Sequence, residues 1–131
     1  KSLNFDLANV LFHGDTKPII FATTSSLDVL GNTYREQLAD AADLVTAAEL
    51  DGAFVVGQLS ELGLDRVVSE GGPFMQNFLR SAGVLNEMDV TIAPLLMGHR
   101  DSEPAFGSTP ASLTIDSLAH AGNHLFVRYL I

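Results

Sequence analysis

Residues 66–83, RVVSEGGPFMQNFLRSAG, decide the fold of this chain. Val67 and Val68 are β-branched and apolar, which predicts a short strand that is buried on both faces. The two glycines that follow end this strand. Pro73 suits the first turn of a helix because its ring fixes φ and it has no N–H to leave unpaired. Apolar residues then recur at helical spacing as far as Gly83, so the pattern predicts an amphipathic helix with a glycine stop.

The junction between the predicted strand and helix suggests an anion site. Backbone N–H groups at a helix start are unpaired and point together, which favours a phosphate. Glu70 would lie at the carboxyl end of the strand, where open α/β sheets bind their ligands. The local pattern by itself favours a structural interpretation, because a strand–Gly–Gly–helix connection is common and Glu70 taken alone is better explained as a solvated or capping carboxylate. The chain contains neither a GxGxxG fingerprint nor a GxxxxGK[ST] phosphate loop.

Composition bounds the function classes. The chain has 131 residues, of which 47% are hydrophobic, so we expect a single domain over residues 1–131. A net charge of −9 argues against a nucleic-acid partner. No apolar run is long enough to cross a bilayer and no signal peptide is evident, so we expect no membrane partner and a cytoplasmic location. With no cysteine and four isolated histidines, no metal site is predicted.

The remaining chain alternates strands and helices. Strands are predicted at residues 18–24, 44–47 and 88–97, helices at residues 33–42 and 54–62, and a hairpin from residues 113–118 and 125–131. Thr33, with Glu36 three residues later, predicts a capping box. Four hydroxyl residues, 23–26, follow the first strand; they can bind phosphate or ribose oxygens, but such loops are often hydroxyl-rich. The order predicts an α/β fold with a mainly parallel sheet, helices on both faces and a C-terminal antiparallel hairpin.

Three segments together resemble the reductase domain of bacterial riboflavin biosynthesis. They are Glu70-Gly71-Gly72 with its helix, residues 82–88 (AGVLNEM) and residues 90–98 (VTIAPLLMG). PIIFATT and the closing LFVRYLI are also similar, so the resemblance covers essentially the whole chain. That domain is the carboxyl-terminal half of a bifunctional deaminase-reductase and has the three-layer dihydrofolate-reductase-like fold. The family's opening strand and loop have no counterpart here, so the N-terminal part of the fold is expected to be missing.

The resemblance implies roles for particular residues. Glu70 corresponds to the glutamate that faces the pyrimidine, and residues 72–78 correspond to the turn and helix start beneath the NADPH phosphates. The full cofactor-binding set that it implies is Gly71, Gly72, Pro73, Phe74, Met75, Phe78, Ser2 and Thr24. No side chain is implied as a catalytic acid or base, because the nicotinamide supplies the chemistry.

The activity that the resemblance implies is NADPH-dependent reduction of 5-amino-6-ribosylamino-pyrimidinedione phosphate to its ribityl form. Two alternatives stay open: a relative with the same fold that reduces another small molecule, and a non-catalytic α/β module. Relatives pair through strand edges, so a homodimer is expected. Because the opening strands are lacking, we also expect the chain alone to be inactive and to expose an unpaired sheet edge or an apolar gap.

Overall fold

A computed structural model describes residues 3–96 and 110–131. The chain divides into two compact units, Lys1–Leu50 and Asp51–Ile131. The single domain expected from the sequence stays a prediction. Ser2, the end of the strand predicted at residues 88–97 and the polar segment after it lie outside the described residues.

The first unit contains a parallel strand pair. Its elements are a 3-10 turn (Val10–Phe12), β1 (Ile19–Thr23), α1 (Thr24–Asp28), α2 (Asn32–Ala41) and β2 (Asp43–Ala47). β1 and β2 run in register from Ile19 opposite Asp43 to Thr23 opposite Ala47. Four apolar residues of this unit are buried: Ala22, Leu27, Leu38 and Ala42. The strands predicted at residues 18–24 and 44–47 are therefore confirmed.

The predicted capping box of α2 is wrong. Gly31, with extended backbone at φ −62° and ψ 144°, is the N-cap, and no side chain caps the helix. Thr33 lies inside the first turn, because the helix already begins at Asn32. A cap residue needs a non-helical backbone, so Thr33 cannot act as one.

Tyr34 of α2 holds the first described residues of the chain. Its hydroxyl oxygen accepts the N–H of Phe5 at 2.7 Å. The same oxygen lies 3.1 Å from the carbonyl oxygen of Leu3 and 3.0 Å from that of Phe5, and either can accept its proton. One side chain thus satisfies several backbone groups of a segment that has no strand or helix of its own.

The second unit contains two helices and an antiparallel sheet. Its elements are α3 (Gly52–Glu61), α4 (Pro73–Ser81), β3 (Glu87–Ile92), β4 (Thr114–Ala121) and β5 (His124–Leu130). The strand order is β3-β5-β4, and both pairings are antiparallel. Gly122, at φ 56°, makes the turn between β4 and β5, so the predicted hairpin is confirmed. β3 ends before Pro94, which has no N–H for a sheet ladder.

The strand predicted at the start of residues 66–83 is not formed. Residues 64–72 have no regular secondary structure. Val68 has 86% of its surface exposed, and Val67 is also exposed, whereas burial on both faces was expected. A strand needs a neighbour to pair its backbone groups, and within residues 3–96 and 110–131 no strand pairs with this segment. The mixed α/β class itself, with a parallel pair and a closing hairpin, is confirmed.

Candidate functional site

The candidate site begins where α4 begins. Gly72 is the N-cap, Pro73 is the first helical residue, and the carbonyl oxygen of Gly72 accepts the N–H of Gln76 at 3.1 Å. No side chain caps the helix. A helix start without a side-chain cap is the arrangement in which the positive end of the helix dipole favours an anion. Gly83, at φ 68°, follows the helix as the sequence predicted.

The two glycines before α4 do different things. A Cβ at Gly71 would lie 2.7 Å from the Met75 Cγ and closer still to its Cβ, so Gly71 lets the loop approach the first turn. A Cβ at Gly72 would have no heavy atom within 4 Å. Gly72 has an extended backbone that any residue can adopt, so its conformation does not require glycine. The consequence of its missing side chain is the open space in front of the helix.

Aromatic surface adjoins this helix start. The rings of Phe74 and Phe78 stack one turn apart, with centroids 6.3 Å apart and planes 18° apart. Phe74 is 59% exposed and Met75 is also exposed, while Phe78 is half-buried. An exposed ring beside an uncapped helix start offers apolar area and polar N–H groups to one ligand, a combination that nucleotides use.

Glu70 is placed differently from the sequence prediction. It is exposed and precedes the glycines, but it lies in the irregular segment and not at the carboxyl end of a buried strand. The strand that would have aimed it is absent from the described residues, so its backbone lacks the constraint that a sheet imposes. Its assignment to substrate remains a prediction.

Thr24 lies in the first unit, at the start of α1. Its hydroxyl donates to the carbonyl oxygen of Ala47 at 3.3 Å, which ties the end of β1 to the end of β2. The neighbouring Thr23 caps α1: its Oγ1 accepts the N–H of Ser26 at 3.2 Å and lies 2.7 Å from the Ser26 Oγ. The hydroxyls of Thr23, Thr24 and Ser26 thus have protein partners, which favours their structural interpretation. The residues from Gly71 to Phe78 come together, and Thr24 belongs to the other unit.

Sequence reasoning missed Gln76. Its Oε1 is buried on α4 and has no hydrogen-bond partner among the described residues. A buried acceptor without a donor is costly, so such an atom is a candidate contact for a group outside the described chain. No sequence signal singles it out, because a glutamine in a helix is normally solvated.

Arg128 of β5 is paired with two acidic residues of β3. The Arg128 Nε lies 3.0 Å from the Asp89 Oδ1 and 3.2 Å from the Glu87 Oε1. The hydrogen bond to Asp89, followed by the charges of Asp89 and Glu87, raises the pKa of Arg128. This cluster is exposed and engaged on the sheet, so it contributes no cation to the start of α4. Within the described part of the chain, no group of acidic residues and histidines has metal-site geometry.

Comparison with known proteins decides the family. The RibD C-terminal domain matches residues 1–127. The chain belongs to the RibD C-terminal domain family. A search of the curated proteins finds no match. Among the described residues, no helix is long and apolar enough to cross a membrane.

A solved structure with a high TM-score supports the fold. The chain is similar to a pyrimidine reductase-like protein from Corynebacterium diphtheriae, with a TM-score of 0.77 and 22% identity. It is also similar to a candidate riboflavin biosynthesis protein from Shewanella sp. PV-4, with a TM-score of 0.49, 19% identity, and coverage of 99% of this chain and 82% of that one. The first match covers 99% of this chain and 58% of that protein, so the chain spans a little over half of that relative's length.

Proposed function

We propose that the chain is part of an NADPH-dependent reductase that acts on a riboflavin-pathway pyrimidine. The observation that carries this proposal is the match of the RibD C-terminal domain to residues 1–127. The substrate proposed is 5-amino-6-ribosylamino-pyrimidinedione phosphate, and the product is its ribityl form. NADPH would supply a hydride to the sugar carbon of the ring-opened imine form, which becomes the ribityl CH₂, and water would supply the proton taken by the nitrogen bonded to it.

The start of α4 is the proposed place of the cofactor phosphates. Its lack of a side-chain cap and the open space at Gly72 support this assignment, because a phosphate oxygen can approach N–H groups only where no Cβ intervenes. The exposed ring of Phe74 is the proposed apolar contact beside the phosphates. Glu70 is proposed to orient the pyrimidine, and Ser2 and Thr24 are proposed at the adenosine end. In this assignment the chain's residues bind and orient NADPH and the pyrimidine, and none of them donates or removes a proton.

Two other functions compete with this one. In the first, the chain is a family member that reduces a different small molecule. The residues that contact the substrate would decide between that molecule and the riboflavin-pathway pyrimidine. A non-catalytic module would use its glycines only for the turn, and the close approach of Gly71 to Met75 is compatible with that. A homodimer, a cytoplasmic location and inactivity of this chain by itself remain predictions.

Titration of NADPH into the protein as its gene encodes it tests the proposal. We expect saturable binding that competes with NADP⁺, and oxidation of NADPH only when the ribosylaminopyrimidine is added. Binding with no turnover of that pyrimidine, but turnover of another carbonyl or imine compound, would support the second function. No binding at all would leave only the non-catalytic module.

A further inference from the structure

Met75 occupies a position of α4 from which other residue types cap a helix. Gly72 is the N-cap and Pro73 is the first helical residue, so Met75 is the third helical residue. In a capping box, a Glu or Gln at this third position reaches back and accepts the N–H of the N-cap residue. Methionine offers only a weakly accepting thioether, and no side chain caps the helix. The residue at the capping position is therefore one that leaves the helix start open.

The stem of Met75 already lies beside the loop that a cap would contact. A Cβ on Gly71 would be 2.7 Å from the Met75 Cγ and closer still to the Met75 Cβ. The backbone at Gly71, one residue before the N-cap, thus packs against the first two side-chain carbons of Met75. The thioether sulfur is the next atom of an unbranched and flexible side chain, so it starts from this contact with the loop.

Oxidation would give Met75 the acceptor that it lacks. A methionine sulfoxide carries its oxygen on Sδ, at the same number of bonds from Cα as the Oε1 of a glutamine. A sulfoxide at the third helical position can therefore accept the N–H of Gly72 as a Glu or Gln does in a capping box. An acceptor in this place competes with a phosphate for the same N–H group.

The exposure of Met75 makes it accessible to an oxidant. It is 39% exposed, whereas Met88 on β3 is half-buried, and Met97 lies outside the described residues. A peroxide transfers an oxygen atom to the thioether sulfur and leaves as water, so the sulfur is oxidised and the peroxide is reduced by the same two electrons. A methionine sulfoxide reductase removes the oxygen as water while two thiols become a disulfide, which restores the thioether.

We infer that Met75 is a reversible oxidation site whose sulfoxide caps α4 through the N–H of Gly72 and closes the helix start to a phosphate. The thioether leaves this N–H open, and a peroxide switches Met75 from one state to the other. The consequence for NADPH rests on the proposed function, whereas the oxidation and the cap do not.

Peptide mass spectrometry and hydrogen exchange test the oxidation and the cap without any cofactor. After brief treatment with hydrogen peroxide, the added oxygen should be found on Met75 before Met88. In the treated protein, and in untreated Met75→Gln, the Gly72 amide should exchange roughly fivefold more slowly than in the untreated protein, which corresponds to a cap of ordinary strength. The matched control is Met75→Leu, which cannot be oxidised at this position, so peroxide should leave its Gly72 exchange unchanged.

Titration with NADPH tests the consequence for the cofactor. Peroxide treatment should lower the apparent affinity by about fivefold as well, because a phosphate binds only the uncapped fraction, and a methionine sulfoxide reductase should restore it. Each protein is compared with its own untreated form, since Met75 itself belongs to the proposed cofactor-binding residues. Treated Met75→Leu should keep the affinity of untreated Met75→Leu, which separates this effect from oxidation elsewhere.

Three results overturn the inference. They are oxidation of Met88 before Met75, an unchanged Gly72 exchange rate in both the oxidised protein and Met75→Gln while circular dichroism shows an intact fold, and slower Gly72 exchange with an unchanged affinity in a protein that binds NADPH. Slower Gly72 exchange in a protein that never binds NADPH would support the oxidation site and the cap, and would remove the proposed reductase function instead.

Discussion

Gly72→Val separates a cofactor role from a structural role at the start of α4. Gly72 is the better position for this change, because a Cβ at Gly71 would collide with Met75 and disturb the helix itself. At Gly72 a Cβ meets no heavy atom within 4 Å, and its φ of −73° and ψ of −168° suit a β-branched residue. The valine methyl groups would occupy the space in front of the helix start.

Two effects of this change on stability oppose each other. Valine is a poorer N-cap than glycine, which costs about 0.5–1 kcal/mol. Replacing a glycine restricts the unfolded chain, which stabilises by about 0.4–1 kcal/mol where the conformation is compatible. The free energy of unfolding should therefore change by less than about 1 kcal/mol. Affinity for NADPH should fall at least about tenfold, which corresponds to roughly 1.4 kcal/mol, because phosphate and side chain compete for one space.

On the same preparation, calorimetric titration measures the affinity for NADPH, and urea unfolding measures the free energy of unfolding. The control is Gly57→Val, which also adds a side chain to a glycine with open space around it, but in the middle of α3. Gly57→Val should keep the NADPH affinity of the unmodified protein. An unchanged affinity in Gly72→Val, with a protein that still binds NADPH, would refute the assignment of the phosphates to the start of α4.

Three further changes test the packing. Gly52→Ala places a Cβ 2.9 Å from the Ala82 Cβ and 3.1 Å from the Phe78 carbonyl oxygen, so the free energy of unfolding in urea should fall by about 1–3 kcal/mol. Gly57→Ala in the same helix has open space and should raise it by up to about 1 kcal/mol. Equal effects of the two changes would contradict the α3–α4 contact. Tyr34→Phe removes the hydroxyl that contacts Leu3 and Phe5, so the free energy of unfolding should fall by about 0.5–1.5 kcal/mol and the Phe5 amide should exchange faster. An unchanged exchange rate at Phe5 would argue against these hydrogen bonds. Val68→Ser should change the free energy of unfolding by no more than about 0.5 kcal/mol because Val68 is exposed, and a loss of several kcal/mol would mean that the strand predicted there does form.

Local signals in the sequence were sufficient for α2, α3, α4 and the hairpin, but not for α1, whose residues were assigned to the end of the first strand and the loop after it. Pro73 and Gly83 bound α4 by their own backbone preferences, and Gly122 makes the turn between β4 and β5. These residues act within a few positions along the chain, so their effect does not depend on distant partners. The family resemblance was also readable from sequence, because it depends on residue identities, and the match to the RibD C-terminal domain confirms it.

The candidate site could be predicted only in part. The close approach of Gly71 to Met75, the stacked rings of Phe74 and Phe78 and the buried Oε1 of Gln76 depend on how one turn packs on the next and on its surroundings. A pattern of residue types carries no distances of this kind. The glycine pair could be located from sequence, but the different roles of its two members could not.

The sequence by itself determined where α4 begins and ends, the closing hairpin and the family. Tertiary structure decided whether Val67 and Val68 form a strand, and in the described chain they do not. The physical reason is that a helix satisfies its backbone hydrogen bonds within its own segment, whereas a strand must find them on a neighbour. β-Branched residues favour an extended backbone but supply no partner, and within the described residues no strand lies beside residues 64–72.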